Sequence, residues 1–170
     1  MEKLIVYLAT QNQHKVEELL SLIGGQFFVK SISDLPISEE IPETGTTLAE
    51  NSLQKAKYIA DKFDVTCLAD DSGLEVESLN GEPGVYSARY SGYPKNDQAN
   101  MEKLLFNLKG IENRKARFVT ILTYFSEGQF YQFEGIVDGR ITLEPKGSNG
   151  FGYDPIFVPE NSNKTFAEMT

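Results

Sequence analysis

The pattern of apolar and polar positions divides the chain into alternating strands and helices. Leu4 to Ala9 form a continuous apolar run, which is typical of a strand buried on both faces. A polar loop follows from Thr10 to Gln13, and from Val16 onward apolar residues recur at the spacing of one helix face until Gly24-Gly25. This strand, loop and helix direct backbone N–H groups and a positive helix end toward the loop.

A short strand, an acidic loop and a second helix are predicted next. Phe27 to Ile32 is the strand candidate, and the segment 34–45 is acidic and contains two prolines. An apolar stripe predicts a helix from about Thr47 to Phe63. Thr47 and Glu50 have the spacing of a capping box, a structural role for Glu50 that competes with metal binding.

The middle of the chain predicts two short strands on either side of a polar turn. Thr66 to Ala69 is the first strand, Asp70 to Gly73 is the turn, and Leu74 to Leu79 is a second strand with alternating apolar and acidic residues. A third helix is predicted from about Asp97 to a stop at Gly110.

The C-terminal part predicts mainly strands. Ala116 to Phe125 and Gln129 to Val137 read as a β-hairpin, and Ile141 to Leu143 and Pro155 to Val158 as short strands. There is no internal repeat or Pro/Ser-rich linker. We therefore predict an α/β fold in which helices flank a mixed β-sheet.

Composition and charge narrow the possible functions. With 170 residues, 40% hydrophobic and 24% charged, the chain can bury the core of one domain. The net charge of −9 argues against a general binder of nucleic acids or membrane surfaces, because such proteins carry basic patches. An acidic protein that binds an anionic nucleotide needs a metal ion and a few well-placed cations.

The single cysteine and the N-terminus indicate a cytoplasmic protein. Cys67 has no partner for an intramolecular disulfide, which suits a reducing compartment, and it reads as a buried apolar residue rather than a nucleophile. Residues 1–7 lack the features of a signal peptide, and no apolar run is long enough for a transmembrane helix.

Asp70-Asp71 is the strongest local signal for chemistry. Two adjacent carboxylates at the end of a strand can hold Mg²⁺, which needs only one or two carboxylates when substrate phosphates complete its shell. The alternative is an ordinary polar turn. In the loop 10–15, Thr10 and Lys15 can reach a phosphate while Asn12 caps the helix, although an N-cap beside a solvated lysine explains the same residues.

Two further segments combine aromatic residues with turns or cations. In the glycine-rich segment 147–154, Phe151 or Tyr153 can stack on a base, and the alternative is core packing beside tight turns. Tyr86, Arg89 and Tyr90 form another aromatic and basic cluster, for which packing is the default interpretation.

Four motifs together resemble the inosine triphosphate pyrophosphatase family, also called the Ham1-like family. In chain order they are LATQNQHK at 8–15, ETGTTLAENSLQKA at 43–56, ADDSGLEVESLNGEPGVYSARYSG at 69–92 and GFGYDPIF at 150–157. The resemblance implies that residues 1–170 form one elongated domain with two lobes and a central cleft. It also implies a homodimer that uses Mg²⁺ to hydrolyse ITP, dITP and XTP to the monophosphate and pyrophosphate, which removes these nucleotides from the pool.

The same resemblance assigns roles to individual residues. Asp71 is expected to be a metal ligand and the general base, with Glu43 or Glu50 as a second acidic group near the metal. Lys15 is expected to neutralise phosphate charge, and 151–154 to form part of the base pocket. The expected substrate-binding residues are Thr10, Gln11, Asn12, Gln13, His14, Lys15, Ser72, Phe151, Gly152, Tyr153 and Asp154.

Two positions depart from the family pattern. His14 stands where the family usually has a glycine that lets the backbone approach phosphate. The sequence ends at Thr170, whereas the family continues through a helix with a Ser-His-Arg motif that contacts the purine. These departures favour an alternative, a nucleotide-binding protein with weak or lost catalysis. A relaxed pocket that accepts other modified nucleotides is a third possibility.

Overall fold

The computed structural model describes residues 3–169 of the chain. Its helices and strands alternate in the first half, and strands dominate the second. In chain order these elements are β1 (Ile5–Leu8), α1 (Gln13–Ile23), β2 (Phe28–Ser31), α2 (Leu48–Phe63), β3 (Cys67–Val76), α3 (Asp97–Asn107), β4 (Lys115–Ser126), β5 (Gln129–Ile141) and β6 (Phe157–Pro159).

The strands form one mixed sheet in the order β2-β1-β3-β4-β5-β6. β1 pairs in parallel with both β2 and β3, and β5 pairs antiparallel with β6. The β1–β3 register places Tyr7 opposite Cys67 and Leu8 opposite Leu68. The predicted α/β fold with a mixed sheet and flanking helices is therefore confirmed.

The described chain divides into two compact units. The first unit comprises 3–71 and 121–134, and the second comprises 72–120 and 135–169. In the first unit, apolar residues of β1 and β3 pack against α1 in one cluster and against α2 in another. The second unit has its own core, in which residues of α3 pack against β3, β6 and the segment that precedes β6.

The predicted turn at Asp70 to Gly73 is wrong, because these residues lie inside the continuous strand β3. Gly73 is needed because the backbone around Gly84 passes close to it, not because the chain turns there. A Cβ atom at Gly73 would lie 2.4 Å from the carbonyl oxygen of Gly84, so only glycine fits there. Asp70 and Asp71 consequently have strand geometry and point to opposite faces of the sheet.

The ends of the other helices and strands differ from the predicted ends by a few residues. The hairpin of β4 and β5 is confirmed, and β5 extends to Ile141, so the separate strand predicted at Ile141 to Leu143 does not form. The last strand begins at Phe157 because 154–156 form a 3-10 turn. Among the described residues, no helix is both long and apolar enough to cross a membrane.

Candidate active site

The first turn of α1 places Lys15 beside a buried carboxylate of the first unit. Asn12 is the N-cap, and its side chain accepts hydrogen bonds from the backbone N–H groups of His14 and Lys15. The backbone N–H of Asn12 in turn donates to Thr10 Oγ1 at 3.1 Å. The ammonium group of Lys15 then forms an ion pair with Asp70 Oδ2. The sequence prediction that Asn12 caps this helix is confirmed.

Lys55 is the central cation of a second cluster in the same unit, and sequence reasoning missed it. Its Nζ lies 3.0 Å from Glu43 Oε1 and 3.7 Å from Asp71 Oδ1. The lysine side chain is only 8% exposed. The one signal in the sequence was its place on the inward face of α2, where Asn51 and Ser52 are also polar and buried.

The electrostatics of the cluster keep Lys55 charged and make Asp71 easier to protonate than an ordinary aspartate. Burial acts to lower the pKa of Lys55, but the surrounding carboxylates outweigh burial, and the net shift of its pKa is upward. Burial raises the pKa of Asp71, the nearby Lys55 ammonium opposes that shift, and Glu43 adds to it. Lys55 is therefore the positive charge that allows the carboxylates to stay close together.

Glu50 occupies the N-terminus of α2. Its Oε2 accepts hydrogen bonds from the backbone N–H groups of Thr46 and Thr47 at 2.7 and 3.2 Å, and Thr47 Oγ1 accepts from the N–H of Glu50 at 3.1 Å. This reciprocal arrangement is the capping box that the sequence indicated. These contacts fully occupy one carboxylate oxygen of Glu50.

Two more side chains of α2 hold the segment that carries Glu43. Gln54 makes two hydrogen bonds with Thr44. Its Oε1 accepts from the backbone N–H of Thr44 at 2.8 Å, and its Nε2 donates to Thr44 Oγ1 at 2.9 Å. Asn51 Oδ1 accepts from the N–H of Gly45 at 2.7 Å. With Lys55 bound to its carboxylate, Glu43 is thus fixed against the helix through its own side chain and through the two residues that follow it.

The donor set fits a hard divalent cation that retains other ligands. Asp70 Oδ1 and Asp71 Oδ2 are buried oxygens without a hydrogen-bond partner. Within residues 3–169, no three His, Cys, Asp or Glu side chains are grouped as a potential metal site. Mg²⁺ commonly binds through one or two carboxylates and completes its shell with water and phosphate oxygens. Asp71 with Glu43, both beside Lys55, is therefore a sufficient set, while Asp70 points to the other face of the sheet.

The segment 150–154 belongs to the second unit and is held mainly through its backbone. The N–H of Gly152 donates to Asp97 Oδ2, and the N–H of Phe151 donates to Asp154 Oδ2, both at 2.9 Å. Tyr153 is buried, and its hydroxyl donates to the carbonyl oxygen of Ser87 at 2.7 Å. Burial raises the pKa of Tyr153, so its phenol stays protonated as a donor.

The structure also shows the surroundings of the other residues that were predicted to bind substrate. In the second unit, Ser72 Oγ shares a hydrogen bond of 2.8 Å with Thr120 Oγ1. In the first unit, Gln11 and Gln13 are exposed, and Gln13 bonds only weakly to Glu17 at 3.4 Å. His14 is exposed as well, with its backbone N–H on the cap of α1.

Comparison with known protein families identifies the chain. The sequence profile of the Ham1 family matches residues 6–170. The chain belongs to the Ham1 family. Its relatives in this family include proteins named dITP/XTP pyrophosphatase from Flavobacterium johnsoniae, which is 49% identical over 95% of this chain and 84% of the relative, and from Porphyromonas gingivalis, which is 44% identical over 99% of this chain and 87% of the relative.

Solved structures of the Ham1 family share the fold. The Ham1 protein of Staphylococcus aureus has a TM-score of 0.89 and 41% sequence identity, over 98% of this chain and 86% of that one. A structure described as nucleoside-triphosphatase / dITP/XTP pyrophosphatase from Mycobacterium abscessus has a TM-score of 0.83 and 42% identity, over 98% and 90% of the two chains. The family resemblance inferred from the four sequence motifs is confirmed.

Proposed function

We propose that this member of the Ham1 family is a nucleoside-triphosphate pyrophosphatase that hydrolyses ITP, dITP and XTP to the monophosphate and pyrophosphate. Relatives at 44–49% identity over nearly the whole chain carry the name dITP/XTP pyrophosphatase. The observation in the fold that carries the proposal is the cluster of Lys55, Glu43 and Asp71, in which a buried carboxylate oxygen of Asp71 lacks a partner. In the cell this activity would cleanse the nucleotide pool.

Mg²⁺ is the proposed cofactor, and Asp71 with Glu43 would hold it. Glu50 is the weaker candidate, because one of its oxygens already accepts the N–H groups of Thr46 and Thr47. When bound, the metal would neutralise phosphate charge and so reduce the repulsion of an attacking water. The unpartnered buried oxygen of Asp71 supports this assignment.

The residues of the chain supply the proton acceptor and further positive charge. Asp71 is the proposed general base, which takes the proton of the attacking water. Lys15 and Lys55 offset the negative charge that develops on the phosphates. Lys55 suits this role because the surrounding carboxylates raise its pKa, which keeps it protonated across the neutral range.

The second unit supplies the proposed recognition residues. Ser72 is a proposed substrate contact, and the segment Phe151 to Asp154 a proposed part of the base pocket. The bonds from Asp97 and Asp154 to backbone N–H groups support this, since they give the segment one defined shape. We further propose that the protein is a cytoplasmic homodimer. The buried free thiol of Cys67 is compatible with a reducing compartment.

A substrate panel tests the proposal. Purified protein with Mg²⁺ is expected to give kcat/KM values for ITP, dITP and XTP at least about 100-fold above those for ATP and GTP, a ratio within reach of a site that reads polar groups of the base. EDTA should abolish turnover and excess Mg²⁺ should restore it. Equal turnover of ATP and ITP would contradict the proposed substrate class, and undiminished turnover in EDTA would contradict the proposed cofactor.

A further inference from the structure

Three buried polar atoms of the first unit lack a hydrogen-bond partner. They are Asn51 Nδ2, Asp70 Oδ1 and Asp71 Oδ2, and only one other side-chain atom in the described residues, Ser78 Oγ, shares this condition. A buried polar group without a partner costs about 1–3 kcal/mol. The open donor of Asn51 and the open acceptor of Asp71, both beside Lys55, indicate a site for a small polar group.

The orientation of Asn51 is fixed by its backbone contact. The residue is 1% exposed, and its Oδ1 accepts the N–H of Gly45 at 2.7 Å. Exchanging the oxygen and nitrogen of the amide would place two donors against each other at Gly45, so the amide group has one stable orientation. The unpartnered atom is therefore a donor, and it cannot act as a metal ligand.

The open donor of Asn51 and the open acceptor of Asp71 are neighbours without bonding to each other. Asn51 lies one helical turn before Lys55 on the buried face of α2, and Lys55 Nζ lies 3.7 Å from Asp71 Oδ1. Even so, neither Asn51 Nδ2 nor Asp71 Oδ2 has a hydrogen bond of normal geometry. A water molecule is the smallest group that satisfies both atoms, because it accepts from an amide and donates to a carboxylate.

We propose that Asn51 is a catalytic residue that orients the attacking water, a role that rests on the pyrophosphatase function proposed above. Asn51 Nδ2 donates a hydrogen bond to the water oxygen, while the water donates to Asp71 Oδ2. In the hydrolytic step, the water oxygen forms the new P–O bond and its proton passes to Asp71. The bond from this phosphorus, that of the α-phosphate, to the α,β-bridging oxygen breaks, and the departing pyrophosphate takes that electron pair.

Two substitutions separate this role from simple support of the loop. Asn51→Asp keeps an oxygen acceptor for the N–H of Gly45 but removes the donor, and Asn51→Ala removes both. Loss of one positioned donor typically lowers kcat by about 10²–10³. Both variants are expected to lower kcat for ITP by at least about 10-fold while KM changes by less than about 3-fold, which is the pattern of an interaction made in the transition state.

A buried asparagine of the second unit provides the matched control. Asn100 on α3 is 2% exposed, and its Oδ1 accepts the N–H of Ser91 at 2.7 Å, much as Asn51 accepts that of Gly45. Asn100→Ala should lower the melting temperature without lowering kcat. A near-normal kcat in Asn51→Asp would overturn the proposal, since it would show that Asn51 serves only to hold Gly45.

A spectroscopic measurement judges the same proposal without turnover. In ¹⁵N-labelled protein, the side-chain NH₂ signals of Asn51 are the pair that disappears in Asn51→Asp. These signals should shift in Asp71→Asn or, if that variant lacks a native spectrum, in Asp71→Ser, while those of Asn100 stay in place. Signals of Asn51 that do not move would contradict the link. If the wild-type protein does not hydrolyse ITP or XTP, the proposed function is contradicted. The NMR comparison of Asn51 and Asp71 does not depend on turnover and still tests the proposed link between these two residues.

Discussion

The acidic cluster of the first unit and the segment 150–154 of the second are held by opposite means. In the cluster, Lys55 binds Glu43 and lies near Asp71, so side-chain charges set the geometry. In the segment, backbone N–H groups donate to the carboxylates of Asp97 and Asp154, so side chains hold the main chain in shape. A substitution in the cluster changes charge at the proposed reacting atoms, whereas one in the segment changes the shape of the proposed base pocket.

This difference predicts two kinetic signatures. Loss of a group that acts only in the transition state lowers kcat, and loss of binding that is equal in substrate and transition state raises KM. We expect the first signature from the cluster and the second from the segment. The comparison fails if the signatures coincide or exchange places.

The largest effect is expected from Asp71→Asn. The amide cannot accept the proton of the attacking water, and a positioned acid or base contributes about 10²–10⁴ to the rate. We expect kcat for ITP to fall by at least about 100-fold with little change in melting temperature. Asp61→Asn, in the exposed pair of Lys57 and Asp61, is the control. A rate for Asp71→Asn within a factor of three of wild type would remove Asp71 as the base.

Lys55→Gln is expected to have the second largest effect, and it should lower both the rate of hydrolysis and the stability of the protein. Removal of one partner from a buried ion pair leaves the other charge buried without compensation. We expect the free energy of unfolding to fall by about 3 kcal/mol, which is the low end of the usual range because Glu43 is 30% exposed. A loss of about 10-fold in kcat should accompany it. Chemical denaturation and steady-state kinetics measure the two.

Lys57→Gln on the same helix is the matched control, because its exposed pair with Asp61 is expected to contribute less than about 1 kcal/mol. Equal effects of Lys55→Gln and Lys57→Gln would show that burial of Lys55 has no functional weight.

Asp97→Ala should give the opposite signature with a smaller size. It releases the N–H of Gly152 and loosens the segment 150–154. Because Asp97 is exposed, we expect the binding free energy of ITP to weaken by about 1 kcal/mol, which is a rise of about fivefold in KM, while kcat is preserved. Gln98→Ala, which removes only an exposed contact with Glu102 on the same helix, should leave both constants unchanged. A fall in kcat without a change in KM would break the comparison.

The smallest effect concerns Cys67, which lies on β3 three residues before Asp70. Burial raises the pKa of this thiol to about 12, so the reactive thiolate is scarce at neutral pH. Iodoacetamide at pH 8 should leave the native protein unmodified and fully active over hours, and should label it rapidly in denaturant. Rapid labelling of the native protein with loss of activity would show that a thiol belongs to the site.

Local signals in the sequence predicted much of the fold. The apolar run of β1, the apolar stripes of α1 and α2, and the caps at Asn12 and Thr47 depend on residues a few positions apart. The hairpin of β4 and β5 was found for the same reason, because its two-residue turn contains Gly128 with a positive φ of 77°.

Features that depend on distant residues were not predictable from local patterns. Gly73 looked like a turn residue, since nothing near it in sequence reveals the carbonyl of Gly84 against which it packs. Lys55 was not singled out from the sequence, since its partners Glu43 and Asp71 lie 12 and 16 positions away. Those carboxylates stabilise a buried ammonium that the helix alone would leave in water.

The identity of the products of ITP hydrolysis tests the central claim most directly. A ³¹P NMR spectrum of the wild-type protein incubated with ITP and Mg²⁺ resolves the two ways of cleaving the triphosphate. The account predicts signals of inosine monophosphate and pyrophosphate, in equal amounts from the first turnovers onward. Inosine diphosphate and inorganic phosphate as the first products would contradict it.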